Sequence, residues 1–450
     1  MKNFSINLIA GALSILLIQS CKKNTSETGD ALPAEERIVL YSAPDTANAQ
    51  PGHYFVTFKE SFKMPFAKVY NGSKTVRGAK LAPANAYATQ ARADMRAAIT
   101  NPNGSMIVPL SDVDAFVSNV VVGFSAQLTA DAVKKLVANP NIEYVEFQNE
   151  EMTDADATET NHSAKTFAPL SQTVDPLRQQ IGFKNGYAQS LDNTIWIIDG
   201  GCDMDHPDLN VYSSWSRSFS NDPSLEDKIG HGTKVAGVLA AIDNNFGTRG
   251  VAAGAWIVPI KITNTDGNSA TGNFIKALDY IWVKSILNDV VNISQSFTPT
   301  KTGVAGLESA IRNFQGWDIW FSIAAGNNRG YAAQRSPARM SAPDYPYAES
   351  LGFIYTVSSY GTAYKFSNYF PFSNLGSNYG KAVDIASAGE NIYTTTLNGG
   401  YTSDPISGTS FAAPIVAGIL FLNKGVVYKK LSVTGDRDAT PDKVAALTYY

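Results

Sequence analysis

Three polar side chains sit in glycine-rich settings beside apolar runs. Asp199 closes Ile195-Trp196-Ile197-Ile198 and leads into Gly200-Gly201. His231 lies between Gly230 and Gly232 at the start of a stretch that reads as a helix (231–242). Ser410 lies in Ser407-Gly408-Thr409-Ser410-Phe411-Ala412-Ala413-Pro414. A serine hydroxyl is a weak nucleophile and needs a base beside it, and an imidazole base needs a carboxylate to fix its tautomer and stabilise its charged form. Asn327, in Ala324-Ala325-Gly326-Asn327-Asn328, is a candidate oxyanion donor at a strand end; losing such a donor costs about 10²–10³ in rate. Pro414 is expected in the first turn of a helix, where its missing N–H removes no bond. That would set Ser410 at the helix's positive end.

The histidine inventory is short: His53, His162, His206 and His231. His206 precedes Pro207-Asp208-Leu209 and reads as a hydrogen-bonded turn residue, while His53 falls in a strand and His162 in a linker. His231 remains as the base.

Elements that could hold these groups alternate between β and α patterns. Strands are expected at 194–198, 256–262, 290–293 and 319–323, and helices at 231–242, 271–288 and near 303–314. Such alternation argues for a mostly parallel sheet with helices on both faces, whose chemistry sits where strands end. Upstream lies a smaller α+β unit. Strands are read at 53–59, 120–124 and 140–146, with helices at 83–100 and from Thr129. Residues 151–171 are acidic and rich in Ser and Thr, an exposed and cleavable linker.

The blocks DGGCDMDHPDL (199–209), GHGTKVAGVLAA (230–241), AAGNN (324–328) and GTSFAAPIVAG (408–418) resemble the signatures of the subtilisin-like serine proteases. The chain order Asp, His, Ser agrees with that family. Residues 53–150 are similar to its inhibitory propeptide, a ferredoxin-like domain. The resemblance implies an endopeptidase made as an autoprocessed precursor. Asp199 would orient His231, Ser410 would attack the scissile carbonyl, and Asn327 with the Ser410 N–H would hold the oxyanion. Ser294-Gln295-Ser296 would pair with substrate and, with Ala325 and Gly326, wall the first specificity pocket. Asp344, before Tyr345-Pro346, would lie near the pocket floor and favour Lys or Arg before the cut, or else be a solvated loop charge. Three positions depart from the pattern: Gly200 replaces a hydroxyl residue, Gln295-Ser296-Phe297 replaces a Leu-Gly-Gly-like run, and Phe411 replaces a methionine. Ser410 lacks the G-x-S-x-G setting and the Ser, Asp, His order of an α/β-hydrolase. The rival reading from another class is a surface lipoprotein that keeps this fold as a binding module.

The resemblance also implies structural calcium. Asp208, Asn244 and the carbonyls of Ile242, Phe246 and Thr248 would supply oxygen ligands; the alternative is an Asn-rich turn without metal. No cofactor is expected for catalysis.

The 450 residues contain 44% hydrophobic and only 17% charged side chains, which excludes global disorder. A net charge of -4 makes nucleic acid a poor partner. With Cys 2, zinc clusters and a disulfide framework are excluded. Lys2 and the apolar run 6–18 read as an export signal, closed by Ile18-Gln19-Ser20-Cys21. That ending resembles a bacterial lipobox, which would make Cys21 a lipid anchor on a periplasmic or cell-surface protein. An ordinary signal peptide and a secreted protein is the alternative. The expected organisation is a signal peptide (1–20), a tether (21–51), an inhibitory propeptide domain (52–150), a linker (151–171) and a catalytic domain (172–450). Partners would be protein or peptide substrates and the chain's own propeptide, and a monomer is expected.

Overall fold

The computed structural model describes residues 51–59, 81–101, 103–148, 151–152, 172, 193–299, 304–371, 374–438 and 440–447. The export segment, Cys21, the tether up to residue 50 and residues 153–171 of the linker lie outside the described residues.

The N-terminal unit contains β1 (Gly52–Phe58), α1 (Leu81–Ala98), β2 (Val113–Val117), β3 (Gly123–Leu128), α2 (Ala130–Val137) and β4 (Ile142–Phe147). Its four strands form an antiparallel sheet in the order β2-β3-β1-β4. The two-residue period of β1 decides its packing. Tyr54, Val56 and Phe58 join α1 and α2 in the unit's own core, while Phe55 points the other way, into the core of the larger unit. Thr129 caps α2, its hydroxyl accepting the Ala132 N–H at 3.2 Å.

Residues 120–124, read as a strand, behave otherwise. Only Gly123 and Phe124 enter β3, and Val120 and Val121 pack into the larger unit's core. The Asp279 carboxylate accepts the N–H groups of Asn119 (2.6 Å) and Val120 (3.0 Å), so this apolar run is a buried connection satisfied by a side chain.

The larger unit follows a short β5 (Glu151–Met152) and runs through β6 (Ile195–Asp199), β7 (Arg217–Ser218), α3 (His231–Ala240), β8 (Ile257–Lys261), β9 (Asn268–Ser269), α4 (Thr271–Lys284) and β10 (Val290–Ile293). It continues with α5 (Ala305–Arg312), β11 (Trp320–Ala324), β12 (Ile354–Tyr360), β13 (Ile385–Ala388), β14 (Thr395–Thr396), β15 (Gly400–Tyr401), α6 (Thr409–Leu422), β16 (Tyr428–Ser432) and β17 (Lys443–Ala446). Nine strands form one sheet in the order β16-β17-β13-β12-β11-β10-β6-β8-β7, parallel except for β16 with β17. Trp196 and Ile198 face α4 and α5, whereas Ile195 and Ile197 face α3 and α6. Strands buried on both faces read as the continuous apolar runs seen in the sequence.

The two units meet at helix ends. Glu146 Oε1 and Oε2 accept the N–H groups of Ala305 (2.7 Å) and Gly306 (2.8 Å) at the start of α5. Gln148 Oε1 accepts the Thr271 hydroxyl (3.0 Å) and the Gly272 N–H at the start of α4. These bonds satisfy helix N–H groups that have no partner within their own helix. The linker expected from residue 151 begins as structure: Glu151 and Met152 pair antiparallel with Ser269 and Asn268. Among the described residues no helix is long and apolar enough to cross a membrane.

Candidate active site

β6, β10 and β11 are neighbours in parallel register, with Ile293 opposite both Ile198 and Ile323. Their C-terminal ends therefore bring Asp199, Ser294 and the Ala325–Asn327 turn side by side. Asp199 is the last residue of β6 and His231 the first of α3, and both are buried. His231 Nδ1 lies 2.8 Å from Asp199 Oδ1 and 3.0 Å from Oδ2. An Nδ1–H donating to the carboxylate leaves Nε2 as the basic nitrogen. The Gly200 N–H donates to Asp199 Oδ1 at 2.7 Å, so the backbone supports the carboxylate at the position where a side-chain hydroxyl is missing. Close approach explains Gly232: a Cβ there would lie 2.1 Å from the Gly201 carbonyl and 3.2 Å from Asp199 Oδ1.

Asp227 is a site residue that the sequence reading missed. Its buried carboxylate accepts from the N–H groups of Ile229 (3.0 Å), Gly230 (2.8 Å) and Thr233 (2.9 Å) and from the Thr233 hydroxyl (2.9 Å). It caps α3 from outside, because Gly230, at the cap position, has no side chain to do so. Burial pushes its pKa up, and the charge of nearby Asp199 adds to the shift. The only sequence signal was an acidic residue just before the helix.

Ser410 is the second residue of α6, at its positive end. Pro414, however, is the sixth helical residue and not part of the first turn. The arrangement holds because its missing N–H would have bonded the Ser410 carbonyl, and that carbonyl accepts the Ser294 hydroxyl instead, at 2.9 Å. Proline thus couples the nucleophile's helix to the end of β10. Ser410 Oγ in turn donates to the Ser294 carbonyl at 3.3 Å, a bond it gives up when its proton passes to a base. Phe411 packs against the His231 ring, with centroids 5.8 Å apart.

Asn327 Oδ1 accepts both the N–H (2.9 Å) and the hydroxyl (2.8 Å) of Thr409. With the oxygen held by two donors, the amide orientation is set and Nδ2 lies beside the Gly408 turn that precedes Ser410.

The residues expected to wall the pocket follow two neighbouring strands. Ser294, Gln295 and Ser296 continue from β10 and are buried, and Ala325 and Gly326 continue from β11. Gly326 has φ +101°, and a Cβ there would meet Asn378 Nδ2 at 2.5 Å. Asn378 Nδ2 donates to the Ala325 carbonyl at 2.9 Å, fixing that wall. Asp344 is exposed, as a solvated loop charge would be, and the next residue, Tyr345, turns inward to donate to Glu308 at 3.1 Å. Arg335 lies beside Gly326 and reaches Thr298, just beyond Ser296. Its Cγ lies 3.5 Å from the point a Gly326 Cβ would occupy, and its Nη1 donates to Thr298 Oγ1.

The oxygen-rich loop gathers away from this triad. Asp208 Oδ1 accepts Asn244 Nδ2 (2.7 Å), and Asp208 Oδ2 accepts the Tyr401 hydroxyl (3.1 Å) and the Thr248 N–H (3.4 Å). Asn244 Oδ1 closes the turn onto the Phe246 N–H at 2.9 Å. Gln172, which sequence reasoning did not include, sends Nε2 to the carbonyls of Ile242 (2.7 Å) and Thr248 (3.3 Å). One carboxylate, two invertible amides and main-chain carbonyls are the donors a hard cation takes. Among the described residues no group of three or more His, Cys, Asp or Glu side chains is placed to hold a metal ion. His206 holds the neighbouring turn, its Nε2 3.0 Å from the Gly400 carbonyl and its Nδ1 accepting the Asp208 N–H at 3.1 Å. Buried Cys202 has its thiol pKa pushed up, chiefly by burial and then by neighbouring carboxylates.

A mostly parallel α/β sheet with an aspartate, a histidine and a serine gathered at its strand ends is the architecture of the subtilases, and residues 192–448 match the Subtilase family; the chain belongs to it. It is 25% identical over 346 residues to the subtilisin-like serine protease Pen ch 18 of Penicillium rubens, a match covering 73% of this chain and 64% of that protein. It is 28% identical over 333 residues to subtilisin NAT of Bacillus subtilis subsp. natto, covering 72% and 77% respectively. The chain thus spans less than two thirds of the fungal relative's length. A crystal structure of a cold adapted subtilisin-like serine proteinase shares 26% identity, with 59% of this chain and 93% of that chain covered at a TM-score of 0.45.

Proposed function

We propose that the protein is an exported serine endopeptidase made as a self-inhibited precursor. The observation that carries this reading is the buried His231–Asp199 couple beside Ser410, with Asn327 oriented by Thr409. Ser410 Oγ attacks a peptide carbonyl while His231 Nε2 takes its proton, and Asp199 stabilises the resulting imidazolium. Charge developing on the carbonyl oxygen is met by Asn327 Nδ2 and the Ser410 N–H, both held before the reaction begins. His231 then returns the proton to the leaving amine, and water releases the acyl group by the same path.

The N-terminal unit acts as the intramolecular inhibitor. Its caps on α4 and α5 and the pairing of β5 with β9 support that role, and the cut that frees the enzyme falls within 147–172. Calcium is bound by Asp208, Asn244 and Gln172 with the carbonyls of Ile242, Phe246 and Thr248, and it fixes the loop without joining the chemistry. Export follows from the segment before Cys21, and lipidation of Cys21 would anchor the enzyme to a membrane.

The test compares the precursor with its Ser410→Ala variant. The intact chain should shorten itself, cut casein and react with a serine-directed phosphonate, while the variant should do none of these. If both remain full-length and inert, the peptidase reading fails.

A further inference from the structure

We infer that Arg335 selects the residue accepted before the scissile bond and favours aspartate or glutamate there. The inference rests on the peptidase reading and adds a substrate class to it. The two pocket walls leave adjacent strands, 294–297 after β10 and 325–326 after β11. The first of them ends on a third segment, where Phe297 and Ser336 exchange backbone hydrogen bonds of 2.7 and 3.0 Å. Arg335 immediately precedes that junction and is half-buried. Its aliphatic stem lies against Gly326 in the second wall, and its guanidinium reaches Thr298, the residue that follows the first.

A guanidinium stays charged and presents a fork of donors that fits a carboxylate. Partial removal from water strengthens that attraction. One neighbouring carboxylate already has its own partners. Ser336 donates to Glu308 at 2.7 Å, and Glu308 pairs with Arg339 at 2.6 Å. The chain's own linker has matching chemistry: Glu151, Asp154, Asp156 and Glu159 fall within 151–171, against Lys165 as the one lysine or arginine. With Glu151 and Met152 held on β9, Asp154 and Asp156 are the next acidic residues along the chain.

The experiment uses the self-processed protein and quenched peptides differing only in the residue before the cut: Glu, Asp, Gln, Lys or Phe. Glu should exceed its neutral isostere Gln in kcat/KM by about tenfold, or about 1.4 kcal/mol, and Arg335→Gln should bring the ratio to within about twofold. The wild-type ratio should also fall as salt rises. Should Arg335→Gln fail to fold, Arg335→Lys keeps the charge without the fork and should retain a reduced preference. The C-terminal residue of the released N-terminal unit, read by mass spectrometry, should be Asp154 or Asp156. Preferred cleavage after Lys or Phe, release at Lys165, or an unchanged Glu/Gln ratio in Arg335→Gln overturns the inference. Ser410 labelled by a phosphonate in an enzyme without acidic preference sinks this inference alone. Absence of both labelling and cleavage removes the peptidase reading and this one with it.

Discussion

Asp199 and His231 form a couple whose value lies in charge rather than shape. Asp199→Asn preserves the volume but cannot stabilise an imidazolium, and kcat should fall by about 10⁴. Asn327→Ala removes one donor that matters most in the transition state, so kcat should drop about 10²–10³ while KM moves little. Steady-state kinetics on one peptide separates the two variants. Asp227 acts through the helix that carries His231. Four donors converge on its carboxylate, so Asp227→Ala should lower kcat and the melting temperature together. A variant that loses activity with an unchanged melting temperature would contradict a capping role. Cys202, buried with a raised thiol pKa, should resist alkylation by a thiol reagent until denaturant is added.

Helix ends are where the two units hold each other, and one of those contacts titrates. Glu146 is buried against the start of α5, and desolvation pushes its pKa up to about 7. Its bonds to Gly306 and Ala305 act in the opposite direction and do not cancel the burial. A docked pKa above the free value of 4.5 means that the docked state binds the proton more tightly. This contribution to docking is fully present below pH 4.5 and is lost as pH rises through about 7. Hydrogen exchange in the Ser410→Ala precursor should therefore show β1 and β4 less protected at pH 8 than at pH 5. Glu146→Gln, which cannot ionise, should flatten that difference, and an unaltered pH dependence in this variant would assign the effect elsewhere.

For the whole molecule, stability rests on a large buried core, and the proposed calcium loop is where a ligand would add to it. The sheet carries apolar cores on both faces and needs no staple to stay folded. Calcium at Asp208 should add to this by mass action, about 2.7 kcal/mol at one hundred times its dissociation constant. Chelation of the processed enzyme should lower its melting temperature, and Asp208→Asn should abolish the response. An unchanged melting temperature on chelation would leave the loop as a metal-free turn.

The alternation of buried strands with amphipathic helices was legible in the sequence because period and burial are local properties of the chain. So were Asp199, His231, Ser410 and Asn327, since each stands in a glycine-rich block at the end of an element. The sequence by itself thus determined the fold class and the candidate catalytic groups. Which residues face one another was a matter for tertiary structure. Val120 and Val121 read as a strand, but the Asp279 carboxylate satisfies the backbone there and the valines fill another unit's core. Pro414 lies inside α6 because Ser294, 120 residues away in sequence (414 − 294), takes the carbonyl that the proline leaves without its helical partner. Arg335, which drew no attention in the sequence, lies beside Gly326 while Asp344 is exposed, since proximity to Gly326 depends on how two loops return to adjacent strand ends. Spacing along the chain carries no information about that return, because a loop's path is set by packing among residues distant in sequence.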